Sequence, residues 1–334
     1  MFELSHWHPV CRLSDLKSKP IKKKILGTDY VIFKTKSGVG IRESRCPHRR
    51  MDLSRGKVLG EKLICPYHSW GFDIHGNIDS PSIGKVECRS QGFETKEKYG
   101  LLWFRSPNST GFFPELELDS YHKIDLSEKE ISAPLEIVLD NFSETEHTST
   151  VHAFLGYSEE DLKNVSIEYS GDGTTTHVFN KGRQKKIPFL IRWFLHLDET
   201  DEFVDDWTTY FTPVHSVFDQ YWVEKETGSK RKDALKIYVF FVPIDESKTR
   251  IFVFTYMKYN KLGNLGLNLM VKPAMKFIVR LEVGLDKSII ESIEDKNVSL
   301  KGCRLSGFDR VLGMNRTRIQ KVYRGLDKNE GNHD

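Results

Sequence analysis

The chain has 334 residues, more than a single hydrophobic core usually serves, so two domains are expected. Its 50 Lys and Arg against 47 Asp and Glu leave a formal charge of +3, too mild a balance to point to nucleic acid, and no basic recognition motif is present. Five cysteines, an odd number without regular spacing, make no disulfide framework and fit a reducing cytoplasm.

The opening MFELSHWHPVCRLSDL lacks the positive segment followed by an unbroken apolar run that export requires. The basic run Lys17 to Lys24 (KSKPIKKK) reads as a solvated turn between strands. From His8 to about Arg105 the chain is a series of short β-type runs at Tyr30–Lys34, Val39–Glu43, Leu63–Pro66, Trp70–Asp73 and Leu101–Phe104. Gly and Asx turns such as Gly27-Thr-Asp and His75-Gly-Asn separate them, which predicts a small antiparallel β domain. Ser106 to Ser132, rich in Pro, Ser and acidic residues, reads as a loose connection, so the domains are expected at 1–110 and 111–334.

Beyond Pro134 a helix-compatible segment near Leu139–His152 precedes β runs at Val165–Tyr169, Thr174–Phe179, Trp207–Thr212, Gln220–Val223, Ile237–Pro243 and Arg250–Met257. A long helical pattern, Gly266 to about Asp295, follows. The expected class is α+β, a small antiparallel β domain followed by an antiparallel sheet covered by helices. Within that pattern Leu262 to Leu285 is interrupted by Lys272, Pro273, Lys276 and Arg280. A spanning helix wants about 20 nearly uncharged residues, so no membrane anchor is expected.

The most informative words are Cys46-Pro-His48-Arg and Cys65-Pro-Tyr-His68-Ser-Trp, a C-x-H followed by a C-x2-H. Each half follows a β-type run and precedes polar turn residues, so two loops could clamp a metal centre. A Cys2His2 set can hold tetrahedral zinc or a Rieske [2Fe–2S] cluster. Zinc sites more often pair C-x2-4-C with H-x3-5-H. One Cys and one His from each loop instead suit a cluster with both thiolates on one iron and both imidazoles on the other.

Cys46-Pro-His48-Arg49 and Cys65-Pro-Tyr67-His68-Ser69-Trp70 resemble the cluster loops of Rieske oxygenases, and His6-Trp7-His8-Pro9-Val10 is similar to the family's opening strand. Ser69 departs from the family, which usually has Gly there. The extra cysteines that cross-link these loops in respiratory-chain Rieske proteins are absent near either half, which points to the oxygenase or ferredoxin branch.

Downstream lies Asp140-Asn-Phe-Ser-Glu144-Thr-Glu146-His147-Thr-Ser-Thr-Val-His152. A ferrous site that binds dioxygen needs two His and one carboxylate on one face and open positions opposite. Five residues of regular helix separate side chains by roughly 140°, so His147 and His152 converge only if the helix is distorted or ends between them. Taken alone, such a pair is more often a surface or capping feature. The segment is similar, however, to the D/E-N-x-x-E/D-x-x-H-x4-H stretch of Rieske oxygenases.

The resemblance implies that His147 and His152 ligate a mononuclear Fe(II). It also implies that Glu144, where most members carry Asp, bridges toward the cluster ligand His68 of a neighbouring subunit, with Glu146 as the alternative. The third ligand is expected on a late helix, where Leu285-Asp286-Lys-Ser-Ile-Ile-Glu291 looks like the family's E-D-x-x-x-x-E stretch; Asp286 is the choice, with Glu282 and Glu291 as neighbours that could equally be solvated charges. Pro243-Ile-Asp-Glu-Ser-Lys-Thr249-Arg250 resembles a turn between catalytic-domain strands, so the resemblance covers nearly the whole chain.

Its implied chemistry is reductive activation of O2 with electrons relayed through the cluster, to hydroxylate or oxidatively demethylate a small organic substrate. A compact chain without a second-subunit motif favours that over ring cis-dihydroxylation, by analogy. With no G-x-G-x-x-G after a strand, a separate NAD(P)H-dependent reductase, alone or with a ferredoxin, is expected as donor. The family further implies a homotrimer. Aromatics at Trp193, Phe194, Trp207, Tyr210, Phe211, Phe218, Tyr221 and Trp222 could line an apolar pocket, although an aromatic strand face is more often core. An electron-transfer Rieske protein without oxygenase activity is the alternative; it would need neither the His pair nor some two hundred further residues.

Overall fold

The computed structural model describes residues 2–87, 92–194, 197–258 and 268–326. Two compact units emerge: Met1–Pro114 with Val242–Glu246, and Glu115–Phe241 with Ser247–Asp334. Both are built on antiparallel strands, as the turn spacing and alternation predict.

The first unit carries β1 (His8–Arg12), β2 (Ile21–Ile25), β3 (Thr28–Lys34), β4 (Val39–Glu43), β5 (Lys57–Leu59), β6 (Lys62–Ile64), β7 (Gly71–Phe72), β8 (Ile78–Ser80), β9 (Gly84–Val86), β10 (Glu94–Lys98) and β11 (Leu101–Arg105). They form three sheets, ordered β1-β11-β10, β2-β3-β4 and β5-β6-β7-β8-β9. The lysine run is therefore not a turn throughout, because Ile21–Ile25 pairs along β3. Its alternation puts Lys22 and Lys24 outward and Ile25 in the core, so a strand edge solvated on one face reads as a basic turn. Val31, Phe33, Leu53, Leu63, Phe72 and Ile78 form a small core with Cys46 and Cys65.

The second unit holds β12 (His122–Ile131), α1 (Leu135–Asn141), β13 (Ser166–Ser170), β14 (Thr175–Arg183), α2 (Phe189–Phe194), β15 (Glu202–Phe211), β16 (Val214–Val223), β17 (Lys230–Asp245), β18 (Lys248–Lys258), α3 (Asn268–Ser292) and α4 (Arg310–Arg318). Seven strands make one sheet in the order β12-β18-β17-β16-β15-β14-β13. The expected connection at Ser106–Ser132 is corrected here, since ten of its residues, His122–Ile131, are the edge strand β12, paired along β18. Their charged sequence conceals this: Asp125 is buried, and Arg280 of α3 meets it at 2.6 Å. The late helical pattern is realised in α3; its first two residues, 266 and 267, lie outside the described residues.

The helix expected over Leu139–His152 is also corrected. α1 stops at Asn141, and the chain then turns into a short 3-10 segment, Glu146–Ser149. This break supplies the irregularity needed for His147 and His152 to converge. α3 faces the sheet with Met275, Ile278, Val279, Glu282, Val283, Asp286 and Ile290, all buried. The spacing is that of one helix face, and two carboxylates stand in its apolar stripe. Among the described residues no helix is long and apolar enough to cross a membrane.

Candidate functional site

In the first unit Cys46 follows β4 and Cys65 follows β6, and each opens a loop closed in the same way. Arg50 N–H donates to Cys46 O at 2.8 Å and Ser69 N–H to Cys65 O at 3.1 Å, while the Cys46 and Cys65 amides bond to Met51 O and Trp70 O. The loops are closed by residues with φ of +56° at both Arg50 and Ser69, the left-handed region that glycine prefers. The two thiols are buried and within hydrogen-bond reach of one another; burial first, and then each other's proximity, pushes the Cys46 thiol up. A neutral pair so placed gains from a cation that turns both into thiolates. On the outer side the His48 and His68 rings lie 4.5 Å apart, and His48 stacks on Trp70 at 4.7 Å and 7°. Two buried sulfurs together, with an exposed and a half-buried imidazole together, are a set of donors that could hold a [2Fe–2S] cluster with chemically different irons.

The second unit brings His147, His152 and Asp286 together, with one ligand atom from each within 4.8 Å of the others. His152 Nε2 lies 3.0 Å and His147 Nε2 3.3 Å from the same Asp286 Oδ1. The rings stand at 88° with centroids 5.0 Å apart. His147 Nδ1 faces Glu144 Oε1 at 2.5 Å, which fixes the ring with Nε2 toward the shared space. Asn141 Nδ2 donates to Asp286 Oδ1 at 3.0 Å. Burial alone would lower the His147 imidazole, but the Asp286 and Glu144 carboxylates outweigh it and push it up to about 10. Burial works the other way on Asp286, yet bonds to both histidines hold that carboxyl well below its usual range. Two imidazoles around one carboxylate oxygen, with a carboxylate behind one ring, is an arrangement that could hold a divalent ion. Glu146 is exposed and accepts from Ser306 Oγ instead.

Two residues with no assigned part fix the loop that carries the His pair. Glu282, one turn before Asp286 on α3, accepts from the amides of Ala153, Phe154 and Leu155 at 2.9, 2.7 and 3.2 Å. It is therefore not a solvated charge, and its place in an apolar helical stripe was the signal that could have found it. Lys185, two residues past the end of β14, donates to the carbonyls of Thr148, Ser149 and His152 at 2.7, 3.3 and 2.6 Å. Gly156 closes the loop at φ +111°, where a Cβ would lie 2.4 Å from Thr148 Oγ1. Glu291, by contrast, accepts from Ser132 N–H and pairs with Lys287 near the surface.

A cavity opens beside the His pair and Asp286, lined among others by Phe142, Leu155, Trp207, Phe218, Ile237, Val239 and Val279. Of the aromatics picked out in the sequence, Trp207 and Phe218 line it, Phe211 and Trp222 lie in the core, and Trp193 is exposed. Asp205 and Gln220 add polar groups to its wall. Burial pushes the Asp205 carboxyl up to about 7, with the Gln220 hydrogen bond opposing.

Residues 6–89 match the model of the Rieske [2Fe-2S] domain, and residues 131–324 match that of the vanillate O-demethylase oxygenase C-terminal domain. The methylxanthine N1-demethylase of Pseudomonas putida is 35% identical over 118 residues, 31% of this chain and 32% of that protein. The vanillate O-demethylase oxygenase subunit of a Pseudomonas strain is 27% identical over 194 residues, 53% of this chain and 52% of that one. The matched stretches span from about a quarter to about half of these curated relatives. Dicamba monooxygenase bound to 3,6-dichlorosalicylic acid superposes with a TM-score of 0.78 at 19% identity, over 97% of this chain and 98% of that one, a likeness of fold.

Two expectations follow from the loops. Ser69→Gly relieves a left-handed non-glycine residue and is expected to stabilise the first unit by roughly 1 kcal/mol in a denaturant melt; no gain would show that Ser69 is unstrained. Glu282→Ala strips the acceptor from three amides, each worth about 1–3 kcal/mol. Hydrogen exchange at 153–155 is expected to rise more than about tenfold, and unchanged protection would contradict the anchoring role.

Proposed function

The chain belongs to the Rieske non-haem iron oxygenases with a vanillate O-demethylase type C-terminal domain, and on that premise we propose that it hydroxylates or oxidatively demethylates a small organic substrate. Its cofactors are a [2Fe–2S] cluster and a mononuclear ferrous iron. When bound, the ferrous iron activates dioxygen and the cluster relays the electron that activation consumes.

In this reading residues 1–110 are the cluster domain and 111–334 the catalytic domain. Cys46, Cys65, His48 and His68 would hold the cluster, and His147, His152 and Asp286 would hold the mononuclear iron. Glu144 keeps the proton on His147 Nδ1, so that Nε2 turns its lone pair to the metal, and Asn141 orients the Asp286 carboxylate. Trp207, Phe218, Ile237, Val239 and Val279 wall the substrate from bulk water. A homotrimer in the cytoplasm completes the proposal, with Glu144 relaying toward His68 of the partner subunit, and with electrons supplied by a separate NAD(P)H-dependent reductase, alone or through a ferredoxin. The observation that carries the reading is the convergence of His147, His152 and Asp286 at the edge of an apolar cavity.

Single turnover of chemically reduced protein with oxygen and a panel of aryl methyl ethers, N-methyl heterocycles and ring acids, read by mass spectrometry, tests it. The wild type is expected to yield a hydroxylated or demethylated product; His147→Ala is expected to lose product while keeping the reduced-cluster EPR signal. Equal product from the variant would remove the iron site from the chemistry.

The iron-free protein should show a pH dependence of known sign. His147 is raised from 6.5 to about 10, so its carboxylate pairing stabilises the fold fully below pH 6.5 and is lost as pH climbs through 10. Fe(II) must displace that proton, so iron affinity is expected to rise by up to about tenfold per pH unit across the neutral range. A flat profile would show His147 already neutral.

A further inference from the structure

The cavity wall opposite the ligand loop is not uniformly apolar. On the sheet face that looks into it, Asn180 of β14, Asp205 of β15 and Gln220 of β16 sit side by side in register. The next row along the same strands is Val178, Trp207, Phe218 and Ile237. Asp205 and Gln220 are each 8% exposed and Trp207 is 3% exposed. One contact joins them, from Gln220 Nε2 to Asp205 Oδ1 at 3.1 Å. Gln220 Oε1 and Trp207 Nε1 then have no hydrogen-bond partner among the described residues. Leaving a buried polar atom so is costly, and such an atom is accounted for where something from outside the chain satisfies it.

The charge of the wall narrows what that is. Three carboxylates besides Asp205 and their counterparts can be followed around the cavity: Asp286 faces the two histidines, Glu144 faces His147, and Glu282 is taken up by three backbone amides. Asp205 has the Gln220 amide. Among the described residues lining the cavity none is Lys or Arg. A ligand carboxylate would meet Asp205 with no Lys or Arg on the lining to offset it, and the site's own cation, protonated His147 or the iron that replaces its proton, already faces Asp286 and Glu144, whereas a ligand N–H would meet two acceptors and find one donor beside them.

We propose that the cavity is built for a nitrogen compound that presents N–H groups to this wall, an amidine, amine or cyclic amide, rather than for a carboxylic acid. Asp205 and Gln220 Oε1 accept from it, and Trp207 Nε1 donates to it. This rests on the oxygenase reading for what then happens to the substrate, but the recognition itself is a binding event and is measured without turnover.

Benzamidinium, benzamide and benzoate share one shape and differ in charge and N–H count. Titration calorimetry of each against the iron- and cluster-loaded protein without oxygen is the test. Benzamidinium is expected to bind at least about tenfold more tightly than benzoate, with benzamide between them if hydrogen bonding contributes beside charge. Asp205→Asn keeps the volume and is expected to bring the two ions within about threefold, and Gln220→Leu to weaken benzamide. Benzoate bound as tightly as benzamidinium, no measurable benzamidinium binding, or a preference unchanged in Asp205→Asn overturns the proposal; the first two need no variant to fold. Iron counted on the same sample separates the two readings, since a benzamidinium preference in protein that cannot hold a third iron would sink the oxygenase and leave the recognition standing.

Discussion

A short stretch of backbone, Thr148 to Leu155, is held from two sides by opposite charges. Lys185 takes three of its carbonyls and Glu282 takes three of its amides. Hydrogen bonds to charged groups contribute about 1.5–3 kcal/mol each, and neither side chain could remain buried or half-buried without them. The consequence is positional. With the loop tied to α3 through Glu282, the next turn of the same helix delivers Asp286 to His152, and the 3-10 turn before the loop delivers His147 to the same oxygen. The site is thus a property of main-chain anchoring, and the ligand side chains need little freedom to meet.

The cluster loops solve the same problem by other means. Each is closed by a backbone bond onto the carbonyl of its own cysteine and ends in a left-handed residue, Arg50 or Ser69. Main-chain hydrogen bonds set where the sulfurs lie, the small core beneath buries them, and the imidazoles are left at the surface. Both candidate sites therefore bury sulfurs or a carboxylate and leave their imidazoles less deeply buried.

What could be read from the sequence follows the range of the interactions. Cys46, His48, Cys65 and His68 stand close together in the chain, so their spacing brings them into view, whereas Glu144, His147 and His152, equally close, stand out only through the likeness of their stretch to the family's motif. The antiparallel sheets follow from alternation and turn residues. β12 escaped because its buried Asp125 is satisfied by Arg280, 155 residues away, and a strand that buries charge does not alternate in hydropathy. Glu282 and Lys185 escaped for the same reason, their partners being backbone atoms about 129 and 33 to 37 residues away. Asp205 and Gln220 read as ordinary strand polars until the sheet register sets them side by side over the cavity.

Iron and acid-labile sulfide per chain, measured on anaerobically prepared wild type and on Asp286→Ala, tests the central claim most directly. About three irons and two sulfides are expected in the wild type, and about two of each in the variant, with the reduced-cluster EPR signal unchanged. Two irons and two sulfides in the wild type after ferrous reconstitution would contradict a mononuclear site at His147, His152 and Asp286.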